Sequence, residues 1–180
     1  MTIRLKPLGS VLFFFFLIFI LAGAARAASV KADVYLTAES GQGAAAGTVT
    51  FTDDTAGINI VTDLKGLPPG DHGFHVHEFP DCGNKGPDGK TGPALAAGGH
   101  FDPDKTGVHK GPDSGGHKGD LPLLTVASDG TAKVTLHVKG VKAEEFKNRS
   151  VMIHAGGDNY SDQPAPLGGG GGRIACGIIQ

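Results

Sequence analysis

The sequence predicts an all-β protein, a β-sandwich or Greek-key barrel of about eight short strands. Three observations carry that expectation. Apolar and polar residues alternate with period two in several separate runs. Turns rich in Gly and Pro bound those runs. Helical periodicity is almost absent, and only "KAEEFKN" suits a helical turn. At 180 residues, the chain fits one domain.

The elements follow in order. "VKADVYLTA" sets Val30, Ala32, Val34 and Leu36 against Lys31, Asp33, Tyr35 and Thr37, the pattern of a half-buried strand. "GTVTFTD" and "GINIVTDL" come next, each bounded by Gly or Asp. "LPPGD" is a turn, in which Pro fixes φ and Gly supplies the unusual backbone angles. "HGFHVHEF" has strand-like composition. "LLTVASDGTAKVTLHV" reads as two alternating runs joined at Ser128-Asp129-Gly130, a hairpin signal. "RSVMIHA" and "RIACGII" are the last apolar runs. No repeat of fixed period is visible. Two segments, 79–121 and 155–172, have no strand pattern, and the second ends "LGGGGG". Loops of that length in a compact domain are usually functional or disordered. The first carries Cys82, His100, His109, His117 and Asp120, residue types that bind metals.

The N-terminus is unlike the rest. Arg4 and Lys6 precede the uncharged run "VLFFFFLIFILAGAA", and "ARA" supplies a small-residue cleavage signal. That is the pattern of a secretory signal peptide over residues 1–27, leaving 28–180 as the exported domain. The apolar run is short against the ~20 residues a membrane span needs, so no stable membrane association is expected after cleavage. No Cys follows the run to carry a lipid. Cleavage removes three basic residues and no acid, leaving 13 Lys+Arg, 18 Asp+Glu and a formal charge of −5. A chain of that charge has no general affinity for nucleic acid.

Cys82 and Cys176, the two cysteines of the sequence, both lie in the exported part and read as a disulfide. Closing so long a loop contributes ~4–5 kcal/mol in the chain-entropy picture. Two cysteines are too few for a tetrahedral Cys zinc site.

The histidines carry the chemistry. On a strand, residues i and i+2 share a face about 7 Å apart. His75 and His77 therefore project together, and Phe74 and Val76 point the other way, into the core. The loop adds His100, His109, His117 and Asp120, and three imidazoles with one carboxylate make a complete four-coordinate zinc set. Glycines at 107, 111, 115, 116 and 119 let distant ligands converge. His154, ending "RSVMIHA", can join His75 and His77, and an imidazole-rich site with an open position suits copper. His137 shares a face with Lys133, Thr135 and Lys139 and reads as solvent-facing. His72 is out of phase with His77. The triplet "NRS" at Asn148 fits a glycosylation acceptor but is uninformative by itself.

Taken together, "GFHVHEF", "GGHFDP", "HKGDLP", "VMIHAGGDNYSD" and "GGRIACGII", in that order, resemble the motifs of the copper,zinc superoxide dismutases. The resemblance runs from about residue 30 to 180, and the loop around Cys82 looks like the bacterial periplasmic branch. It implies an all-β, immunoglobulin-like, eight-stranded Greek-key barrel with two long functional loops. It implies one copper and one zinc ion per subunit. His75, His77, His100 and His154 match the copper ligands; His100, His109, His117 and Asp120 match the zinc ligands. His100 then bridges the metals. Arg173 matches the arginine that attracts and orients superoxide, and Asp158 the carboxylate tying a copper ligand to a zinc ligand. Cys82 and Cys176 match the family disulfide, and His72 a structural histidine.

The activity so implied is dismutation of superoxide to dioxygen and hydrogen peroxide in the periplasm, with His100 taking up and returning a proton. The loop 155–172 lacks the Lys and Glu run that the eukaryotic branch uses for steering. Arg173, and then Lys105, Lys110 or Lys118, are the cations left for that task, although such loop lysines are usually just solvated. The alternative is a non-catalytic periplasmic copper or zinc carrier on the same scaffold, for which neither Arg173 nor a shared histidine is needed. The sequence leaves monomer and homodimer open.

Overall fold

A computed structural model describes residues 1–2 and 27–180. The expected signal peptide lies, but for its ends, outside the described residues. The first strand, β1 (Ser29–Ala38), buries Val30, Ala32 and Val34 and turns Lys31 and Asp33 outward, as its alternation demands. It is followed by β2 (Gly41–Asp53), β3 (Gly57–Leu64), β4 (Gly70–His72), β5 (Phe74–His77), β6 (Leu124–Val126), β7 (Thr135–Lys139), β8 (Ser150–His154) and β9 (Arg173–Ile179).

Seven strands form one antiparallel sheet in the order β5-β8-β9-β1-β2-β3-β7, and β4 pairs with β6. Of the two outer strands of the large sheet, β5 continues β4 and β7 follows β6 after a turn, so the pairing of β4 with β6 closes the curled sheet on itself. The eight expected strands appear as nine segments because β4 and β5 are one strand broken at Gly73. There the Gly73 N–H turns to Gly156 O at 2.7 Å, and its carbonyl accepts the His154 N–H at 2.9 Å.

Two expectations need correction. The turn at Ser128-Asp129-Gly130 forms, with Ala127 N–H on Thr131 O and Gly130 at φ 80°. Its flanking runs do not pair as a hairpin. Instead β6 pairs with β4 and β7 with β3, because this turn hands the chain across a barrel corner. In addition, β2 starts at Gly41, six residues before the alternation in "GTVTFTD" begins, since "GQGAAA" can pair backbone to backbone without any pattern.

The barrel interior holds Phe51, Phe74, Ile58, Ile60, Leu121 and Leu124, all fully buried. Phe146, from a 3₁₀ turn at Ala143–Phe146 where "KAEEFKN" suggested one, meets Phe51 edge-on at 5.4 Å between ring centres.

The long loop 79–121 is ordered against the free edge of β5. Phe101 N–H donates to Val76 O, and Val76 N–H to Gly119 O, both at 2.8 Å. Glu78 N–H donates to Gly99 O at 3.1 Å and Leu121 N–H to Phe74 O at 3.3 Å. Gly119 is required at this seam, since a Cβ there would stand 2.2 Å from Val76 O.

Candidate metal centre

The edge pairing that orders the loop also assembles the site. Bridge pairs set His100 opposite His77 and Asp120 opposite His75. The strand β8 delivers His154 from its end, beside β5. His109 is drawn in by its N–H on Asp162 Oδ2 at 2.8 Å and its Nε2–H on Asp158 Oδ1 at 2.8 Å. All these side chains are buried, on the face of β5 opposite Phe74 and Val76.

Ligand-type atoms of His75, His77, His100 and His154 lie within 4.8 Å of one another, as do those of His75, His100, His109 and Asp120. The second set holds His75 where the sequence places His117. His117 stands at its margin, Nδ1 3.4 Å from Asp120 Oδ1. Asp120 Oδ1 is also 3.0 Å from His100 Nδ1 and 2.9 Å from His109 Nδ1. The sequence-derived residues are therefore gathered at one place, with His117 the loosest of them.

One ring nitrogen of each outer histidine is committed to the protein. His75 Nε2 donates to Asp158 Oδ2 at 2.7 Å, His77 Nδ1 to Gly98 O at 3.0 Å and His154 Nδ1 to Gly171 O at 3.2 Å. This fixes each tautomer and leaves the other nitrogen as a lone pair, the usual support of a metal-binding imidazole. His77 Nε2 and His154 Nε2 then face each other at 3.4 Å, neither holding a proton to donate. His75 Nδ1, His100 Nε2, His109 Nδ1 and His117 Nδ1 are buried with no hydrogen-bond partner. Buried polar atoms are rarely left so. Four of them, within and beside two groups of converging ligand atoms, fit cations there.

The electrostatics agree. Burial, aided by neighbouring imidazoles and Arg173, pushes His154 down to about 3. Burial likewise takes His100 down to about 4, against its hydrogen bond to Asp120. Burial also lowers His75 and lowers His77 well below the usual range. His109 goes the other way: burial opposes its charge, but Asp120 and Asp158 together raise it to about 9. Burial alone would raise both carboxylates, but both are held well below their usual range, Asp120 by His100 and the adjacent His109, and Asp158 by hydrogen bonds from His109 and His75.

These shifts predict a stability maximum near pH 6.5 for the metal-free protein. His109, raised to about 9 from an ordinary 6.5, contributes stability below pH 6.5 that is lost as pH climbs through 9. His100 and His154, lowered to about 4 and 3, bind protons more weakly folded than unfolded. Their folded state loses ground as pH falls from 6.5 toward those values. Denaturant midpoints of metal-free protein across pH 4–9 test this. A flat or steadily rising profile from 6.5 to 9 would contradict the His109 environment described.

Arg173 opens β9 opposite His154 and donates to Ala94 O and Gly98 O, each at 2.6 Å. The Gly98 carbonyl thus serves Arg173 and His77 together. Cys82 and Cys176 form a disulfide, with Cα atoms 5.8 Å apart, that ties the loop to β9. His72 is buried, its ring bonded to His154 O and Pro68 O at 2.7 and 2.8 Å, and takes no part in either set. His137, on β7, is only half-exposed, its Nε2 2.9 Å from Asp54 Oδ2, and belongs to neither set. Lys105 and Lys110 are exposed, and Lys118 is paired with Glu145. Sequence reasoning missed Asp162 and the carbonyls of Gly98 and Gly171. Asp162 lies in the quoted "GGDNYSD" and was open to notice; backbone carbonyls carry no signature.

Comparison with known proteins completes the picture. The family described as "Copper/zinc superoxide dismutase (SODC)" matches residues 45–179. The chain is similar to superoxide dismutase [Cu-Zn] of Escherichia coli (strain K12), 48% identical over 162 residues, covering 89% of this chain and 94% of that protein. Among solved structures it is similar to Cu/Zn superoxide dismutase from Brucella abortus, with TM-score 0.81, 47% identity, 85% of this chain and 100% of that one. It is also similar to the monomeric copper, zinc superoxide dismutase from Salmonella enterica, with TM-score 0.74, 47% identity and the same coverage. Strands, disulfide and histidine cluster agree with that match, and the chain belongs to the copper/zinc superoxide dismutase family.

Proposed function

We propose that this protein converts two superoxide anions and two protons into dioxygen and hydrogen peroxide. His75, His77, His100 and His154 hold copper, and His100, His109, His117 and Asp120 hold zinc. The observation carrying the copper assignment is the pair of proton-free nitrogens, His77 Nε2 and His154 Nε2, facing each other at 3.4 Å with His75 Nδ1 and His100 Nε2 unpartnered beside them. His75 belongs with copper because His77 and His154 converge only with its set, whereas the zinc set is completed by the unpartnered His117 Nδ1. Bound there, copper supplies a one-electron couple and zinc a fixed positive charge.

The chain's own residues do the rest. His100 lies between the sets, Nδ1 beside Asp120 and Nε2 free, so Nε2 is where a proton is held and returned. Asp158 orients His75 and His109 from behind. Arg173 is fixed through two carbonyls, and its charge already weakens proton binding at His77 and His154, so its field reaches the copper set. In a domain of net charge −5, that local cation draws a small anion inward. The N-terminal pattern and the disulfide support export, with residues 28–180 acting in the periplasm.

The decisive experiment is metal analysis with a superoxide-decay assay on purified residues 28–180. One copper and one zinc per chain with rapid superoxide loss are expected. Both metals bound without superoxide loss would make the protein a carrier. Arg173→Ala should lower kcat/KM by about tenfold or more with both metals retained. Unchanged activity would remove Arg173 from substrate attraction.

A further inference from the structure

The zinc assignment above raises the question of how an ion reaches ligands so deeply placed. Side chains of His109 and Asp120 are fully buried, and that of His100 is 1% exposed. His117 is the most exposed of the four, at 9%. A cavity of about 160 Å³ lies against it, lined by His117, Asp120, Asp104, Asp113 and Lys118 among others. None of His75, His77, His100 and His154 lines it. The cavity is far larger than the ~10–15 Å³ one water requires, so it accepts a partly hydrated ion.

Its residues grade from solvent to site. Asp104, 68% exposed, is at the mouth. Asp113 is exposed too, and its Oδ1 accepts the Lys139 N–H at 2.8 Å, which anchors the carboxylate at the rim. Asp120 and the unpartnered His117 Nδ1 are at the inner end. Lys118 would repel a cation, but its Nζ is drawn to Glu145 Oε2 at 2.7 Å and lies 3.8 Å from Asp104 Oδ2. The ion pair offsets its charge.

We infer that zinc reaches its site through this cavity. Asp104 and Asp113 draw the hydrated ion in, and His117 is the first imidazole to bind it, before Asp120, His109 and His100. His117 suits that role because its ring is the most exposed of the four ligands and borders the cavity, while its Nδ1 lies just inside, 3.4 Å from Asp120 Oδ1. Copper, whose set does not border the cavity, arrives by another side.

The test follows free zinc(II), released from a chromogenic chelator, into metal-free protein. Zinc loss to excess chelator is measured in parallel. The double variant Asp104→Asn, Asp113→Asn removes the two rim charges. Ser114→Trp places bulk on an exposed lining residue. Uptake and loss should both slow, by about tenfold for the double variant. The dissociation constant should move less than about twofold, because exposed charges are screened from the bound ion. Copper uptake should match the parent. Parent-like zinc rates in both variants would overturn the route alone. Weakened zinc affinity at unchanged uptake rate would recast the carboxylates as part of the holding site, and also overturn it. A parent protein that takes up no zinc would overturn the ligand assignment, and the route with it.

Discussion

Replacing Asp158 by Ala is expected to weaken both metals at once, by about 10–100-fold each. Asp158 is a buried carboxylate whose two oxygens serve the two sets, Oδ2 taking His75 Nε2–H and Oδ1 taking His109 Nε2–H. Without it, both imidazoles lose the acceptor that fixes tautomer and ring orientation. The loss corresponds to ~1.4–2.8 kcal/mol per site, since each tenfold is ~1.4 kcal/mol. Competition against graded chelators measures it, metal by metal. His117→Ala is the control, because it touches only the zinc set and should spare copper. Parent-like retention of either metal by Asp158→Ala would show that this carboxylate does not couple the sites. The neighbouring Gly168 provides a second route to the same result. It stands at φ +71°, and a Cβ there would fall 2.0 Å from Asp158 Oδ1 and 2.9 Å from His109 Nε2. Gly168→Ala should therefore repeat the Asp158 phenotype with both titratable residues still present.

The largest effect on stability is expected from replacing Cys82 and Cys176 together by Ser. The bridge joins residues 94 apart in sequence. The chain-entropy contribution of such a loop is ~4–5 kcal/mol, a large share of the total for a domain this size. With urea m-values of ~1–3 kcal/mol per molar, the midpoint should fall by roughly 2 M. A change of under about 0.5 M would mean that the edge pairing of loop 79–121 on β5 holds the loop unaided. Activity should fall further than metal loss explains. Cys82 anchors the segment containing Ala94 and Gly98, whose carbonyls hold Arg173, and Ala94, Ala97, Met152 and Cys176 form the small apolar cluster against which it packs.

Much of this was readable from residue order. Alternation located β1, which buries one face and wets the other, and an unbroken apolar run located β8, which lies wholly inside; side-chain chemistry records both directly. The pair His75 and His77 was visible as a same-face couple for the same reason. What stayed hidden was carried by backbone. The break at Gly73 and the Gly- and Ala-rich start of β2 depend on main-chain hydrogen bonds that almost any small residue makes. The run around Asp129 signals a turn correctly, but no local pattern says whether flanking strands join each other or separate partners. The carbonyls of Gly98 and Gly171 orient two imidazoles and leave no mark in composition. His117 was visible as a ligand type, whereas its peripheral position depends on how the loop folds over Asp120.

The pairing of β1 with β9 bears on when this chain can fold. The first strand made is the inner neighbour of the last, so a nascent chain short of Arg173–Ile179 leaves β1 and β8 each without one partner. Cys82 likewise waits for Cys176, 94 residues later. Synthesis proceeds at ~5–20 residues per second, so the polypeptide spends several seconds unable to close its barrel. In that interval β1 and β8 each present an unpaired edge, and the loop that carries Cys82 lacks its covalent tie.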